Sequence, residues 1–239
     1  MKKLSIIMPV YNEAENLGLI VPKVMKASIG RLERELIIVE GGSTDGSDKI
    51  VDKFRKSKVS VYHVKEKGKG YKVRYGIKKA KGDIILIQDA DLEYDVRDYK
   101  ELIEPIIRRK TKFVLGSRHL GAGTWKTRRF SKEPVKGFIV NLCARGLDTV
   151  FNILNFTWLT DPQTMYKVFT KKSIKGINFK SNYFDWDWEI VTKLIKKGNK
   201  PLEIPVNYKS RSTSEGKKIR FIKDGFRNLF SILRYRFFD

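Results

Sequence analysis

The first half of the chain alternates short apolar runs with segments of helical period, and this alternation narrows the fold more than any other feature. Leu4 to Val10, Glu35 to Glu40, Val59 to Val64, Asp83 to Ile87 and Lys112 to Gly116 have the length and β-branched content of buried strands. Between them, Glu13 to Ala27, Asp45 to Arg55, Gly70 to Ala80 and Asp95 to Arg109 read as helices. In the first of these, Leu17, Ile20, Val21, Val24 and Met25 mark one face. Such an order predicts an α/β fold, Rossmann-like, with a mostly parallel sheet and helices on both faces. Sheets of this kind bind ligands outside the carboxyl ends of their strands.

The strand ends carry the chemistry. The fourth run leads directly into Gln88-Asp89-Ala90-Asp91-Leu92-Glu93. Carboxylates at the mouth of a buried sheet cost desolvation energy unless something positive neutralises them. Mg²⁺ or Mn²⁺ carrying a diphosphate is the expected neutraliser, because these ions take one or two carboxylates plus phosphate oxygens. The first run leads into Pro9-Val10-Tyr11-Asn12-Glu13, where Pro9 reads as the strand end and Asn12 as a helix cap. The second leads into Glu40-Gly41-Gly42-Ser43-Thr44-Asp45-Gly46, with a cap expected near Ser43 or Thr44; the third leads into Gly68-Lys69-Gly70. A glycine-rich turn before a helix either lets backbone N–H groups approach an anion or is simply tight. Neither has P-loop spacing. Their recurrence at successive strand ends, beside the acidic stretch, points to a bound nucleotide.

Charge narrows the partners. The 239 residues carry 50 basic and 27 acidic groups, a net +23, which suits nucleic acid, an anionic membrane surface or phosphorylated substrates. Lys-rich surfaces also mark some heat-adapted proteins. There is no zinc-ligand spacing, RNP-like pattern or helix-turn-helix signature, so nucleic acid is not an expected partner. One cysteine, Cys143, excludes an intrachain disulfide and favours a reducing compartment. Asn12 and Glu13 end the first apolar run too early for a signal peptide, and no uninterrupted apolar run reaches the ~18 residues of a spanning helix. A soluble or peripheral protein is expected.

In the second half, Trp125 to Arg129 is basic, and Val135 to Leu154 is a largely apolar helix that carries Arg145 and Asp148. Leu159 to Phe169 combines a turn at Asp161-Pro162 with a returning strand. Tyr183 to Glu189 opens a helix with Asp185 and Asp187 at its positive end. Leu202 to Tyr208 is strand-like, and Pro205 suggests an edge. Arg211 to Lys218 is either a flexible loop or a lid. From Ile219 to Phe238 a helical stripe of Ile222, Phe226, Leu229 and Leu233 runs beside Arg220, Lys223, Arg227 and Arg234. That pattern suits packing on the domain or an anionic bilayer surface. The expected division is residues 1–210 as a catalytic domain and 211–239 as basic loop plus amphipathic helix.

Ser5 to Glu13, Gly42-Ser43-Thr44-Asp45-Gly46, Gly68-Lys69-Gly70 and Asp83 to Asp91 resemble the family 2 glycosyltransferases of the GT-A fold. The branch they are most similar to is the dolichol-phosphate mannose synthase-like one, and the likeness runs from Leu4 to about Arg236. The resemblance implies an inverting, Mg- or Mn-dependent hexosyltransferase. Its donor would be a nucleoside diphosphate sugar of the GDP-mannose or UDP-glucose type. Its acceptor would be a polyprenyl or dolichyl phosphate at the cytoplasmic membrane face, reached directly or through a small membrane partner protein.

Carried over, Pro9, Tyr11 and Glu13 line the base and ribose pocket, with Glu40, Lys69, Asp89 and Ala90 also on the donor nucleotide. Asp91 and Glu93 face the metal. Arg118, and then Arg128 or Arg129, face phosphates, while Arg211 and Lys217 close a lid over the donor and acceptor phosphates. The family often has Asp-Asp-Gly-Ser after the second strand, with an aspartate reading the base. Here Glu40 keeps one carboxylate and Gly41 has lost the other, so guanine and uracil both stay open, as do mannose and glucose.

Asp161 sits where related enzymes carry an acid near the acceptor. An acceptor hydroxyl would need it as a base, whereas a phosphate acceptor is already an anion. The Gln-X-X-Arg-Trp signature of processive polysaccharide synthases is absent. A basic membrane- or nucleic-acid-binding module without catalysis is the remaining reading.

Overall fold

The computed structural model describes residues 1–122, 134–210 and 221–239. Its strands are β1 (Lys3–Val10), β2 (Glu33–Glu40), β3 (Val59–His63), β4 (Ile84–Ile87), β5 (Phe113–Ser117), β6 (Lys167–Thr170) and β7 (Leu202–Pro205). They form one seven-stranded sheet in the order β3-β2-β1-β4-β6-β5-β7. β6 runs antiparallel to both neighbours and every other pairing is parallel. The fold is therefore α/β with a mostly parallel sheet. Every residue of β4 is buried, so the acidic stretch leaves the middle of the sheet. β7 is the edge strand that Pro205 suggested.

The helices are α1 (Ala14–Lys26), α2 (Ser47–Asp52), α3 (Lys69–Lys79), α4 (Tyr99–Ile107), α5 (Arg118–Ala122), α6 (Pro134–Asn155), α7 (Trp186–Lys196) and α8 (Phe221–Phe237). A 3-10 turn, Val96–Asp98, precedes α4.

Three local expectations are corrected. Pro9 does not end β1, which continues to Val10. Pairing with β4 stops at Ile7, whose carbonyl accepts from Gln88 N. Alternation puts the Pro9 nitrogen on that same side, past the end of β4, where no N–H is needed. Asn12 does not cap α1. The first donors of that helix go instead to the next loop, Glu13 N to Ser47 Oγ at 2.9 Å and Ala14 N to Asp45 Oδ2 at 3.0 Å. α2 begins at Ser47, later than expected, and Asp45 Oδ1 accepts the Ser47 N–H.

The apolar helix in the second half buries polar side chains beside Val140 and Phe151 and exposes several large apolar ones. On α6 the buried side chains include Asn141, Asp148 and Asn155, while Phe138, Ile139, Leu142 and Ile153 are about half exposed or more. Beyond its end, Trp158 is 95% exposed. Among the described residues, Gly137–Asn155 is a helical stretch long and apolar enough to cross a membrane, although polar side chains interrupt its sequence. On α8, Ile232 and Tyr235 face inward, whereas Phe226, Phe230, Leu233 and Phe237 are exposed. The outward stripe thus shares Phe226 and Leu233 with the expected one and adds Phe230 and Phe237. Tyr235 OH donates to Asp185 Oδ2 at 3.0 Å and Arg227 pairs with the same carboxylate, which fastens α8 to the start of α7.

Candidate active site

The loops leaving β1 and β2 are stitched together by side chains. Asn12 N donates to Ser43 Oγ at 3.0 Å, Thr44 N to Asn12 Oδ1 at 2.8 Å, and Ser43 N to Glu40 Oε1 at 3.0 Å. Two N–H groups of the glycine-rich turn are therefore engaged by the protein itself, and the turn is a braced wall rather than an anion cradle. Glu40 is buried, and its other oxygen lies 3.1 Å from His63 Nδ1. A hydrogen bond to Asp52 and the Glu40 carboxylate raise the His63 pKa against its partial burial.

Gly68-Lys69-Gly70 is also built for packing. Gly68 has φ +110°, and a Cβ there would run into the Asn182 carbonyl. A Cβ on Gly70 would lie 2.7–2.9 Å from the Ser181 and Tyr183 carbonyls and Trp186 Cβ. The two glycines let α3 start against segment 181–186, where Tyr71 N donates to Asn182 O.

Part of the neutralisation demanded by the acidic stretch comes from lysines. Lys69 Nζ lies 2.9 Å from Asp89. Burial opposes its charge, but Asp89, Asp187 and Asp91 outweigh burial and raise its pKa. Asp187 in turn holds Lys167, a fully buried β6 residue, at 2.8 Å. Burial lowers the Lys167 pKa despite that partner. Lysine and aspartate thus alternate beneath the β4 and β6 ends.

A second ionic unit stands at the end of β5. Arg118 grips Asp161 through Nε–H to Oδ2 and Nη2–H to Oδ1, both at 2.7 Å, and its backbone N–H adds a third bond at 2.9 Å. Asp161 is fully buried; burial would raise its pKa, but the Arg118 charge and hydrogen bonds hold it below the usual carboxylate range. Glu203 of β7 accepts from the Thr160 and Asp161 N–H groups and fixes the turn. The Arg118 guanidinium lies 5.3 Å from the Tyr208 ring centroid, and Tyr208 OH donates to Glu93 Oε2 at 2.7 Å. Tyr208 therefore joins the acidic stretch to the arginine. Nearby, Asp148 accepts from Gln163 at 2.8 Å, and burial pushes its pKa up to about 7.

Residues 5–177 match the Glycosyl transferase family 2 domain. The chain belongs to that family. This glycosyltransferase is similar to the dolichol-phosphate mannosyltransferase of Pyrococcus furiosus, 27% identical over 98% of this chain and 64% of that protein. Glycosyltransferase AglD of Haloferax volcanii is 24% identical over 93% of this chain. The chain spans 35% of the length of that archaeal relative. Among solved structures, glucosyl-3-phosphoglycerate synthase of Mycobacterium tuberculosis with Mg²⁺ and UDP superposes with a TM-score of 0.70 at 15% identity. That match covers 98% of this chain and 79% of the other. The same enzyme with Mn²⁺, UDP-glucose and glycerol 3-phosphate gives 0.67 at 15% identity, over 98% and 80% of the two chains. The neighbours share the GT-A-like fold.

The glycosyltransferase brings several of its expected residues together. Pro9, Tyr11 and Glu13 follow one another from the end of β1, with Glu40 beside them on β2. Lys69, Asp89, buried Ala90, Asp91 and Glu93 cluster where β4 ends. Arg118 and Asp161 are one ion pair. Arg128, Arg129, Arg211 and Lys217 lie outside the described residues, as do Arg220 and the side chains of Ile222 and Lys223.

The donor set fits a divalent cation. Asp89 is committed to Lys69, and Asp91 and Glu93 share the bend that follows, with Glu93 N donating to Asp91 Oδ1 at 3.2 Å. Two oxygen-ligand residues is the number Mg²⁺ or Mn²⁺ uses beside substrate phosphate. Among the described residues, no group of three His, Cys, Asp or Glu forms a self-sufficient metal cage.

Sequence reasoning missed Lys72, Lys167, Tyr208 and, as a titrating group, Asp148. A buried lysine leaves no pattern in a chain with 50 basic residues. Tyr208 could have been suspected as the one aromatic that ends the β7 run.

Proposed function

We propose that this glycosyltransferase inverts the anomeric centre of a hexose as it moves from a nucleoside diphosphate sugar to a polyprenyl phosphate, at the cytoplasmic face of a membrane. The observation that carries the acceptor is α6. On its inner side Asp148 accepts from Gln163 of the turn that holds Arg118–Asp161, while on its outer side Phe138, Ile139, Leu142 and Ile153 are exposed. One helix thus borders the site and offers a surface suited to lipid. The exposed aromatics of α8 extend that surface. The names of the Pyrococcus relative and of a dolichyl-phosphate β-glucosyltransferase of Trichomonas vaginalis, 25% identical over 92% of this chain, support the same acceptor class.

In this reading Tyr11, Glu13 and Glu40 bind the nucleoside, and Lys69 orients Asp89 toward it. Asp91 and Glu93 would hold Mg²⁺ or Mn²⁺, which supplies positive charge against the leaving diphosphate. Arg118, fixed by Asp161 and Tyr208, places a guanidinium at the β5 end for phosphate oxygens, and Arg211 and Lys217 add charge from the loop after β7. A phosphate acceptor needs no proton removed. Asp161, locked in its ion pair with a lowered pKa, is a poor base and orients Arg118 instead.

The hydroxyl-acceptor reading keeps one observation in its favour, the poised carboxyl of Asp148. The decisive assay offers GDP-mannose and UDP-glucose with Mn²⁺ to vesicles that contain polyprenyl phosphate. Transfer to the lipid phosphate is expected. Asp91→Ala should lower its rate on the order of 10²–10³-fold with the circular dichroism spectrum intact. Transfer only to a glycan hydroxyl, lost in Asp148→Asn, would overturn the acceptor; near-normal turnover of Asp91→Ala would overturn the metal assignment.

A further inference from the structure

Lys72 is 2% exposed, yet it carries an ammonium to the place where the nucleoside is assigned. Its Nζ donates to the Val10 carbonyl at 2.7 Å and stands 5.0 Å from the Tyr11 ring centroid. Val10 pairs in register with Glu40 across β1 and β2, so the ammonium lies at the carboxyl ends of those two strands. The Glu40 charge is felt by it from β2.

The charged surroundings are few. Glu40 comes from β2 with His63 of β3 behind it, Tyr11 comes from the end of β1, and Lys67 lies against Gly42. A Cβ on Gly41 would sit 3.1 Å from Lys72 Cε and 2.8 Å from Val64 Cγ2 and O. A side chain at 41 would therefore press first on the Val64 backbone and then on the lysine stem, so the glycine keeps this wall close to Lys72.

Packing alone does not explain the residue. Methionine or leucine would fill the same space without the cost of burying a charge. Among the described residues its one hydrogen bond is to Val10, so two of its three N–H donors remain for a ligand or water. Beside it, the Glu40 carboxylate has acceptor capacity beyond His63 and Ser43. An N–H donor next to a carboxylate acceptor is the complement of a lactam edge, a ring carbonyl adjacent to a ring N–H. Uracil and guanine present that edge; cytosine and adenine present an amino group instead.

Resting on the nucleotide-sugar reading, we propose that Lys72 and Glu40 together read the lactam edge of the donor base, with Lys72 as the donor to its carbonyl. The enzyme would then accept uracil or guanine diphosphates and reject those of cytosine and adenine. Burial pulls the Lys72 pKa down to about 8, with Glu40 opposing, so the charged donor is lost within an accessible pH range.

The test is calorimetric titration of the full chain with UDP, GDP, CDP and ADP plus Mn²⁺, at pH 6.5 and 8.5. UDP or GDP should bind at least about tenfold tighter than CDP and ADP, and more weakly at pH 8.5. Lys72→Met should lose about tenfold in affinity, lose the base preference and flatten the pH dependence, without a lower melting temperature. Unchanged affinity, preference and pH dependence in Lys72→Met would overturn the inference while leaving the donor reading standing. Failure of all four nucleotides to bind the wild type would overturn both.

Discussion

The strand ends and the pair α6 and α8 treat large apolar side chains differently. Around β1, β2 and β4 the outer rule is ordinary, with apolar side chains inside and charges at the strand ends, and the buried charges are met by lysines. Around α6 and α8 the division is mixed, with Asn141, Asp148 and Asn155 buried beside Val140, Phe151, Ile232 and Tyr235, and large apolar side chains such as Phe138, Phe226 and Phe230 outside. A donor that is a soluble anion asks only for a polar cleft. A surface that exposes Phe, Ile and Trp is of the kind that meets another protein, a ligand or a lipid, and the proposed lipid acceptor makes lipid the case to test.

The contrast can be broken in order of expected effect. After the rate loss of Asp91→Ala, the largest change belongs to the Arg118–Asp161 pair. Asp161→Asn leaves a buried guanidinium uncompensated and should cost about 3–5 kcal/mol in urea unfolding; a loss below about 1 kcal/mol would show the pair to be solvated. The Asp161 pKa is depressed in the fold, so this contribution is complete above the ordinary carboxylate range and disappears as pH falls through the lowered native value. Acid unfolding followed in wild type and Asp161→Asn should show the difference between them shrinking in that window.

Next comes the outer face. Phe226→Ser with Phe230→Ser should weaken binding to anionic vesicles at least about tenfold, because each ring contributes apolar burial. Nucleotide affinity should not move. If vesicle binding is unchanged, α8 faces something other than lipid and its exposed rings need another cause.

The smallest effect lies under the donor wall. His63 has its pKa raised by Asp52 and Glu40, so its stabilising charge is present below the unfolded histidine value and is lost as pH rises through the native one. In an NMR titration Asp52→Ala should lower the His63 pKa, and the chain has only one other histidine to confuse the assignment.

Legibility in the sequence follows the same divide. The donor half could be read because parallel strands buried on both faces appear as short apolar runs, and because Asp89, Asp91 and Glu93 follow one of them directly. Details decided by neighbours could not be read. Pro9 is tolerated inside β1 because β4 has already ended, and α1 is capped from the adjoining loop. The reversal of β6 depends on which strands flank it. For α6, the apolar content of Val135 to Leu154 favours a core helix over a membrane role, and only the fold shows which side chains look out. Lys72 and Lys167 are invisible among so many surface lysines until their burial is known.

Segment 181–186 touches both worlds. Gly68 and Gly70 press α3 against it, and Asp185 within it holds Tyr235 and Arg227 of α8. Among the described residues, this segment joins the helix with the outward aromatics to the helix that carries Lys69 and Lys72. With α8 resting on a bilayer, the fold would act as a gauge block: the height of the nucleotide above the headgroups would be machined into the protein, and the lipid would have to rise to meet it.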